Sequence, residues 1–371
     1  MERSHNIALY IDPPSHHYLD NRLFEVDENR ANGDALQAPY VFLREYLQSK
    51  GIEVNTIDHL PEKANGTKNI YISFGILSNY QKLAVRNDVI LSGYFAFECP
   101  IVEPRMYERL KHARNFFKRI FTWSDNSSLE RFVGKPLAYD HFLLPQSFDR
   151  VHEDIWRKTD RKFLVMINAN KLPRVYYKEL YTERMRAVEF FSRTDEIDLY
   201  GKGWDKPSIR VGITRVPFTF RRWHYQLLTY WQKLRPEPLL VAAKKAYRGV
   251  AQSKSSTLGN YTFALCFENS IMKGWITEKL FDCFYAGTVP VYWGAPEITD
   301  YVPPNCFIDM RKFSNYAELR TFLKSLTVGE IAAYKENARN YLASEMFKPF
   351  RKETFAELIE SVIELDAEVQ I

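Results

Sequence analysis

Polar and basic residues cluster between Lys254 and Asp309, at the ends of short apolar runs. Residues 268–270 (Glu-Asn-Ser) follow the apolar run Tyr261–Phe267, and residues 277–279 (Thr-Glu-Lys) precede a second apolar stretch. If that stretch is helical, its first turn presents backbone N–H groups beside a lysine. Such donors, the helix dipole and a cation together suit a pyrophosphate. The spacing predicts a site for a ligand of the sugar-nucleotide type.

The elements that must position these residues are predicted to be a strand, a polar loop, a helix and a second strand. Tyr261–Phe267 is typical of a buried parallel strand, and open α/β sheets bind ligands at the carboxyl ends of such strands. Thr277 is the predicted helix N-cap, Gly287 ends the helix, and residues 289–293 form the next strand. A solvated capping pair is the alternative interpretation of residues 278–279.

Four motifs occur in this segment in unbroken order: F-A-L-C-F-E-N-S, W-I-T-E-K-L, A-G-T-V-P-V-Y-W-G and C-F-I-D. They resemble the donor-site signature of the α-1,3-fucosyltransferases, family 10 of the glycosyltransferases, in its bacterial type. The resemblance implies an α/β protein of GT-B architecture, in which two Rossmann-like domains face a central cleft. It also implies inverting transfer of L-fucose from GDP-fucose to a hydroxyl of an acceptor glycan.

The resemblance assigns roles to individual donor-site residues of this chain. Lys279 binds phosphate, Glu278 accepts hydrogen bonds from the ribose, and Asn269 lies near the diphosphate and the sugar. Trp275 stands where the family often has tyrosine. The tryptophan keeps an aromatic face but loses the hydroxyl. Lys254 belongs to a basic segment that borders the donor site.

A second phosphate-binding cation is expected on the first helix of the donor domain, where the family has an arginine. Residues 177–191 predict that helix and offer Arg184 and Arg186, which lie about 200° apart around a helix. Arg184 precedes apolar residues at positions 187, 188 and 191, so it borders the buried stripe and is the preferred candidate. An ordinary solvated helix arginine is the alternative for either residue.

Inverting transfer needs a base for the acceptor hydroxyl and positive charge for the departing diphosphate. Glu98 ends an apolar strand of the first domain, and the resemblance identifies a glutamate in such a context as the base. Glu103, which also precedes a proline, is the alternative, and a solvated strand-end glutamate is the simpler interpretation of Glu98. The chain has no D-x-D pair, and His16-His17 is its only histidine cluster. We therefore expect no cofactor and no essential metal.

A chain of 371 residues is long for one core, so two domains are expected. Strands and helices alternate from Ile7 to Thr122 and again from Lys162. We predict an acceptor-binding Rossmann-like domain over 1–150 that carries the base, a GDP-sugar-binding one over 151–345, and a helical tail over 346–371. The turn-forming and charged stretch 145–158 is the predicted linker.

The net charge of +5 is compatible with anionic ligands or membrane surfaces, and no nucleic-acid-binding motif occurs. The amino terminus contains a short run that predicts a first strand rather than a signal peptide or anchor, so we expect a cytoplasmic protein. Residues 206–248 hold ten lysines and arginines against the single acid Glu237. Apolar residues at heptad spacing from Phe220 to Leu234 predict a basic amphipathic helix, which either contacts the inner face of the plasma membrane or packs on the protein core.

The resulting hypothesis is a fucosyltransferase that acts on a hydroxyl of an envelope glycan, O3 of an N-acetylhexosamine or a similar sugar, including a glycan that is lipid-linked. Two other hypotheses remain open at this point. A GT-B enzyme could use another GDP-sugar, because a few pocket contacts decide donor identity. A glycan- or nucleotide-binding protein at the membrane surface, without catalysis, is the hypothesis from a different class.

Overall fold

The computed structural model describes residues 7–25, 36–64, 66–75, 79–134, 138–173, 178–206, 208–211, 223, 227, 230–231 and 238–368. These residues form two compact units. The first unit comprises the described residues up to 147 together with 348–368, and the second comprises the described residues from 148 to 347.

The strands of the described chain are β1 (Ile7–Asp12), β2 (Glu53–Thr56), β3 (Lys68–Ser73), β4 (Val89–Phe95), β5 (Arg119–Thr122), β6 (Asp140–His141), β7 (Lys162–Ile167), β8 (Lys171–Pro173), β9 (Ile197–Tyr200), β10 (Ile209–Val211), β11 (Tyr261–Phe267), β12 (Val289–Trp293) and β13 (Ile308–Asp309). Short 3-10 helices cover His16–Tyr18, Arg22–Phe24, Ile57–His59, Met310–Lys312 and Glu345–Phe350.

The α-helices are α1 (Ala38–Ser49), α2 (Tyr80–Leu83), α3 (Pro104–Ala113), α4 (Asn126–Val133), α5 (Glu153–Trp156), α6 (Tyr181–Ser192), α7 (Pro238–Ala246), α8 (Lys254–Leu258), α9 (Glu278–Ala286), α10 (Ile298–Tyr301), α11 (Tyr316–Ser325), α12 (Val328–Leu342) and α13 (Lys352–Ala367). None of those within the described ranges is both long and apolar enough to cross a membrane.

The first unit is built on a parallel six-stranded sheet in the order β2-β1-β3-β4-β5-β6. The chain runs outward in one direction from β1 and in the other from β3, so the strand order reverses between these two strands. Aromatic side chains fill much of the core, for example Phe95 stacked on Phe121 with ring centroids 4.2 Å apart. Offset aromatic stacking of this kind adds to the stabilisation from burial alone.

The second unit contains a parallel five-stranded sheet in the order β13-β12-β11-β7-β9, and a separate parallel pair of β8 and β10. The chain leaves β7 through α6 toward β9, whereas it leaves β11 through α9 toward β12. The strand order therefore reverses between β7 and β11. In open α/β sheets, ligands bind beside the carboxyl ends of the strands at such a reversal.

The predicted α/β class with two Rossmann-like domains is confirmed by these two parallel sheets. The boundaries of β11 and β12 also agree with the sequence prediction. Gly287 ends α9 as predicted, with a left-handed φ of 62° at the C-cap position.

The last residues of the described chain do not form a separate tail, contrary to the predicted division at 346. The contacts of α13 with α1, β3 and β4 place it in the first unit. Asp366 fastens the helix there, since its buried carboxylate accepts hydrogen bonds from Arg119 at 2.9 Å and Lys118 at 3.1 Å. Sequence periodicity predicts an amphipathic helix but not the sheet on which it packs.

Candidate active site

The candidate site lies at the carboxyl end of β11, where the strand order of the second sheet reverses. The backbone of residues 178–180 is tied to this point, because Leu180 N–H donates to the Asn269 carbonyl at 3.2 Å and Ile271 N–H donates to the Lys178 carbonyl at 2.7 Å. These bonds fix the start of α6 beside the end of β11. Side chains from the first turns of α6 can therefore reach the polar residues that follow the strand.

Arg184 is the side chain that α6 directs toward this point. Its guanidinium donates to the Phe267 carbonyl from Nε at 3.2 Å and from Nη2 at 2.6 Å, and Nη2 also donates to Asn269 Oδ1 at 3.1 Å. The residue is 3% exposed, whereas Arg186 is exposed and pairs with Glu183 at 2.6 Å. The structure thus brings Arg184, and not Arg186, to Asn269, which is itself partly accessible.

Lys279 lies near the same strand end, in the first turn of α9. Its ammonium donates to Glu268 Oε2 at 3.0 Å and to Thr277 Oγ1 at 2.9 Å. Burial alone would lower the pKa of Lys279, but the carboxylates of Glu268 and Glu278 outweigh that effect and raise it. The ammonium is therefore fully charged at neutral pH, despite being mostly buried.

Lys254, at the start of α8, completes the basic group. Its ammonium pairs with Asp282 and lies 3.5 Å from Glu278 Oε1. Burial would raise the pKa of the Glu278 carboxyl, yet the charges of Lys279 and Lys254 hold this pKa at about 2. Glu278 is thus an ionised acceptor, and with a side chain 38% exposed it can bind ligand hydroxyls.

The start of α9 differs from the predicted capping arrangement in one respect. Thr277 occupies the N-cap position, but its side chain makes no capping hydrogen bond to the helix backbone. Its hydroxyl instead donates to the Glu268 carboxylate, at 2.9 to 3.0 Å. No threonine oxygen therefore occupies the N–H groups of the first turn, which is the arrangement in which a helix start can receive phosphate oxygens.

Trp275 does not present an aromatic face at the surface of this site. Its side chain is 2% exposed and its backbone N–H donates to the Met272 carbonyl at 3.2 Å. The resemblance assigned it to the donor site as the counterpart of a family tyrosine. In the structure it packs into the interior of the unit, so it supports the loop from within.

Two residues of the site were not predicted as functional from the sequence. Glu268 is fully buried and bonds Thr277 and Lys279, and Asp282 pairs with Lys254. The sequence contained a signal for Glu268, which directly follows an apolar strand. A carboxylate at such a position is seldom fully buried unless a cation pairs with it. Asp282 lies one helical turn after Glu278, so both acids share a face of α9.

The candidate base Glu98 lies in the first unit, three residues beyond the end of β4. It is partly buried, its Oε1 accepts the Cys99 N–H at 2.9 Å, and its carbonyl accepts the Tyr107 hydroxyl at 2.7 Å. Glu103 is exposed and occupies the N-cap position of α3. Glu98 is thus held at the carboxyl edge of its sheet, and Glu103 belongs to the surface of a helix start.

Among the described residues, one group could supply three metal ligands at close range. It consists of Asp20, Asp58 and His59, all exposed on the first unit, and it does not include donor-site residues.

The predicted amphipathic segment 206–248 lies mostly outside the described residues, as do Phe220 and Leu234. Its described aromatic members are well exposed, Trp223 at 65% and Tyr230 at 63%.

The strand reversal of the second unit carries a buried arginine, a helix start and two lysines. These are elements from which nucleotide-phosphate sites in parallel α/β proteins are built. The acidic partners, Glu278 above all, add acceptors for hydroxyl groups.

A family model matches part of the chain. Residues 238–354 match the model described as glycosyltransferase family 10 (fucosyltransferase), C-terminal domain. This segment contains Lys254, Asn269, Glu278 and Lys279. The predicted resemblance to the family 10 fucosyltransferases is confirmed over this segment.

Individual relatives match over limited stretches. An α-(1,3)-fucosyltransferase of Helicobacter pylori is 36% identical over 75 residues, which are 20% of this chain and 16% of that protein. A bovine protein named GDP-fucose protein O-fucosyltransferase 3 is 33% identical over 123 residues, 33% of this chain and 25% of the relative. A crystal structure of an α1,3-fucosyltransferase aligns with 98% of this chain and 92% of its own, at 12% identity and a TM-score of 0.48. The matched stretches thus span a quarter or less of these two sequence relatives.

Proposed function

We propose that this protein is an inverting fucosyltransferase that moves L-fucose from GDP-fucose to a hydroxyl of a cell-envelope glycan, with O3 of an N-acetylhexosamine or a similar sugar as the acceptor atom. The observation that carries the proposal is the convergence of Arg184, Lys254 and Lys279 on the start of α9. Two of these cations and the helix lie within the segment that matches family 10. The matched relatives are themselves named as fucosyltransferases.

In the proposed complex, the diphosphate accepts hydrogen bonds from Lys279, Arg184 and the first-turn N–H groups of α9. Glu278 accepts hydrogen bonds from the ribose hydroxyls, and Asn269 contacts the diphosphate and the sugar. Negative charge grows on the departing diphosphate as the sugar is transferred. Fixed cations and backbone donors stabilise that charge most when they need not reorganise during the reaction.

The chemical step is a single displacement at the anomeric carbon. The acceptor oxygen forms a bond to this carbon on one face as the bond to the diphosphate oxygen breaks on the other, and GDP leaves with the electron pair. Glu98 takes the acceptor proton, which makes the oxygen a better nucleophile. Displacement from the opposite face inverts the configuration at the anomeric carbon.

We further propose that the reaction needs no metal ion and no cofactor. Three protein cations lie around the start of α9, and each is held by hydrogen bonds or ion pairs within the unit, which supports this proposal. Such groups supply the charge that a divalent ion supplies in other transferases. GDP-fucose then acts as a substrate that the protein alone neutralises.

The acceptor is proposed to be presented at the inner face of the plasma membrane, on a lipid-linked glycan in lipopolysaccharide or glycoprotein biosynthesis. The charge excess in 206–248 favours anionic lipid, at about 1 kcal/mol for each basic residue near the surface. Trp223, Leu227 and Tyr230 recur at spacings of four and three residues and are exposed. Co-sedimentation with vesicles of anionic and of neutral lipid tests this contact, and equal binding to both would contradict it.

A protein hydroxyl is a second candidate acceptor, because several of the matched relatives are named as protein O-fucosyltransferases. Another GDP-sugar is the alternative donor, and binding without transfer is the alternative activity. Incubation of the protein with labelled GDP-fucose and separate glycan and polypeptide acceptors distinguishes the two acceptors. Label in the polypeptide alone would replace the glycan in the proposal.

A calorimetric panel of GDP, GDP-fucose, GDP-mannose and UDP-sugars tests the donor. We expect binding of GDP and GDP-fucose and much weaker binding of the UDP-sugars. Slow release of GDP from GDP-fucose without acceptor separates an enzyme from a binding protein. Tight UDP binding would refute the guanine-nucleotide donor, and the absence of both hydrolysis and transfer would refute catalysis.

A further inference from the structure

Glu268 is a buried carboxylate to which the proposed reaction assigns no role. Its side chain is fully buried, and its backbone N–H donates to the Trp293 carbonyl at 2.8 Å. Oε1 accepts the Thr277 N–H at 2.9 Å, and Oε2 accepts the Lys279 ammonium at 3.0 Å. The Thr277 hydroxyl lies within 3.0 Å of both carboxylate oxygens.

We propose that Glu268 is a positioning residue of the donor site, which holds Lys279 and the first residue of α9 where the diphosphate binds. It acts through these two groups and does not contact the ligand. The inference rests on the proposed function, because it assigns the donor diphosphate to the start of α9. Glu268 is not among the residues proposed above to contact the phosphates or the ribose, or to act as the catalytic base.

Glu268 fixes the position of the Lys279 ammonium. A lysine has a flexible four-carbon stem, so an unpaired ammonium would sample many positions. The contacts with Glu268 and Thr277 select one of them. Burial also favours the neutral amine, and the Glu268 carboxylate is the largest of the influences that raise the pKa of Lys279 against it. Glu268 therefore secures both the place and the charge of the cation.

Glu268 also fixes the start of the helix. Threonine at an N-cap normally accepts a hydrogen bond from an N–H of the first turn. Here Glu268 binds both the N–H and the hydroxyl of Thr277, and the threonine side chain makes no capping hydrogen bond to the helix backbone. The same carboxylate thus holds the N-cap residue and keeps the threonine oxygen off the first-turn N–H groups.

The fold leaves room for the Glu268 side chain beside Gly294. A Cβ atom on Gly294 would lie 2.5 Å from Glu268 Cγ and 2.4 Å from the Tyr292 hydroxyl oxygen. Real Cβ contacts are essentially never this short, so a side chain at 294 would displace one of these groups. The glycine after β12 is therefore needed because the buried glutamate approaches so closely.

Calorimetric titration of Glu268→Gln with GDP gives the first test. Glutamine keeps the shape and a hydrogen bond to Thr277 but cannot pair with a lysine, so we expect binding about 10- to 100-fold weaker, as for loss of a hydrogen bond to a charged group. Simple electrostatics predicts the opposite, because removal of a negative charge should strengthen the binding of an anion. Unchanged or tighter GDP binding by the variant would overturn the positioning role.

The matched control is Asp198→Asn. Asp198 is another buried, ion-paired carboxylate of the same sheet, bound to Lys162 at 2.9 Å and to the Tyr261 hydroxyl at 2.7 Å. This change should lower the unfolding temperature and leave GDP affinity within twofold. In a Lys279→Met background, Glu268→Gln should add less than a twofold further loss. A full additional loss would show that Glu268 does not act through Lys279.

The rate of Lys279 acetylation, followed by mass spectrometry from pH 7 to 11, tests the clamp without any ligand. Acetylation should rise at a lower pH in Glu268→Gln than in the wild type, and an identical profile would overturn the inference. If the wild type binds no GDP, the proposed function fails, while the profile still decides whether Glu268 holds Lys279. If Glu268→Gln does not fold, Glu268→Asp, whose carboxylate is one methylene shorter, should show the same earlier acetylation, and its absence would again count against the clamp.

Discussion

Replacement of Arg184 gives the sharpest test of the donor site, because the same helix offers Arg186 as a control. Arg184 is 3% exposed and makes three hydrogen bonds, two to the Phe267 carbonyl and one to Asn269. Arg186 is exposed and pairs with Glu183 on its own helix. The two residues differ in surroundings and not in chemical type, so a difference between their variants reports the site.

The expected magnitudes follow from these contacts. Removal of one fixed donor from a site where negative charge develops costs on the order of 10² to 10³ in rate, which is the loss expected for Arg184→Ala and for Lys279→Ala. Arg186→Ala removes only an exposed helix ion pair, which costs about 0 to 1 kcal/mol of stability. The rate of transfer by this variant should not change. Arg184→Lys keeps the charge and loses the planar fork, so we expect an intermediate loss.

Three measurements separate binding from folding. Calorimetry with GDP gives the affinity, and initial rates of GDP release with and without acceptor give the activity. Thermal unfolding shows whether Arg184→Ala remains folded although the Phe267 carbonyl has lost its hydrogen bonds from Arg184. The reasoning would be refuted if Arg186→Ala were damaging and Arg184→Ala silent. Equal activity of Arg184→Lys and the wild type would show that only the charge matters, not the bidentate geometry.

Three further predictions use other parts of the molecule. Glu98→Gln should abolish transfer and leave GDP-fucose affinity nearly unchanged, with Glu103→Gln mild; near-normal turnover of Glu98→Gln would make Glu103 the leading base. Activity should survive exhaustive EDTA treatment, and a complete loss that metal restores would contradict neutralisation by protein cations. Hydrogen bonds from Arg320 and then Lys324 lower the pKa of Glu196 from 4.5 to about 2, so this group stabilises the fold above pH 4.5 and loses that contribution as the pH falls toward 2. We expect this contribution to the free energy of unfolding to be about 1 kcal/mol. It is measured by urea unfolding as the difference in stability between the wild type and Glu196→Gln, at pH 7 and at pH 3. A difference that does not shrink at pH 3 would contradict the assignment.

Sequence reasoning was accurate where local rules decide the structure. The run Tyr261–Phe267 and the stop at Gly287 follow from apolar length and from the left-handed conformation that glycine favours, and both were predicted. The choice of Arg184 over Arg186 followed from helical spacing, and the structure directs Arg184 to the strand end. The roles of these residues stay predictions until ligand binding is measured.

The sequence does not specify how separate elements pack on one another. Trp275 was assigned to the site because it stands where the family often has tyrosine, yet its burial depends on how residues 272–276 pack over the unit. The helix at 352–367 was assigned to a tail because nothing in its own sequence names the sheet of the first unit as its partner. Glu268 was overlooked for the same reason, since its importance comes from a lysine eleven residues later in the chain.

The charges around the start of α9 show how the site can favour a diphosphate without a net positive charge. Arg184, Lys254 and Lys279 are matched in number by Glu268, Glu278 and Asp282, so these six residues sum to zero. Attraction therefore has to come from orientation: buried Glu268 holds Lys279 from within, and the partly exposed Glu278 leaves room for ribose. Close, fixed donors are screened by salt far less than a diffuse surface charge. GDP affinity should accordingly fall much less with salt than the affinity of the basic segment 206–248 for anionic vesicles, and a parallel fall of both would mean that a general surface charge, rather than this arrangement, binds the nucleotide.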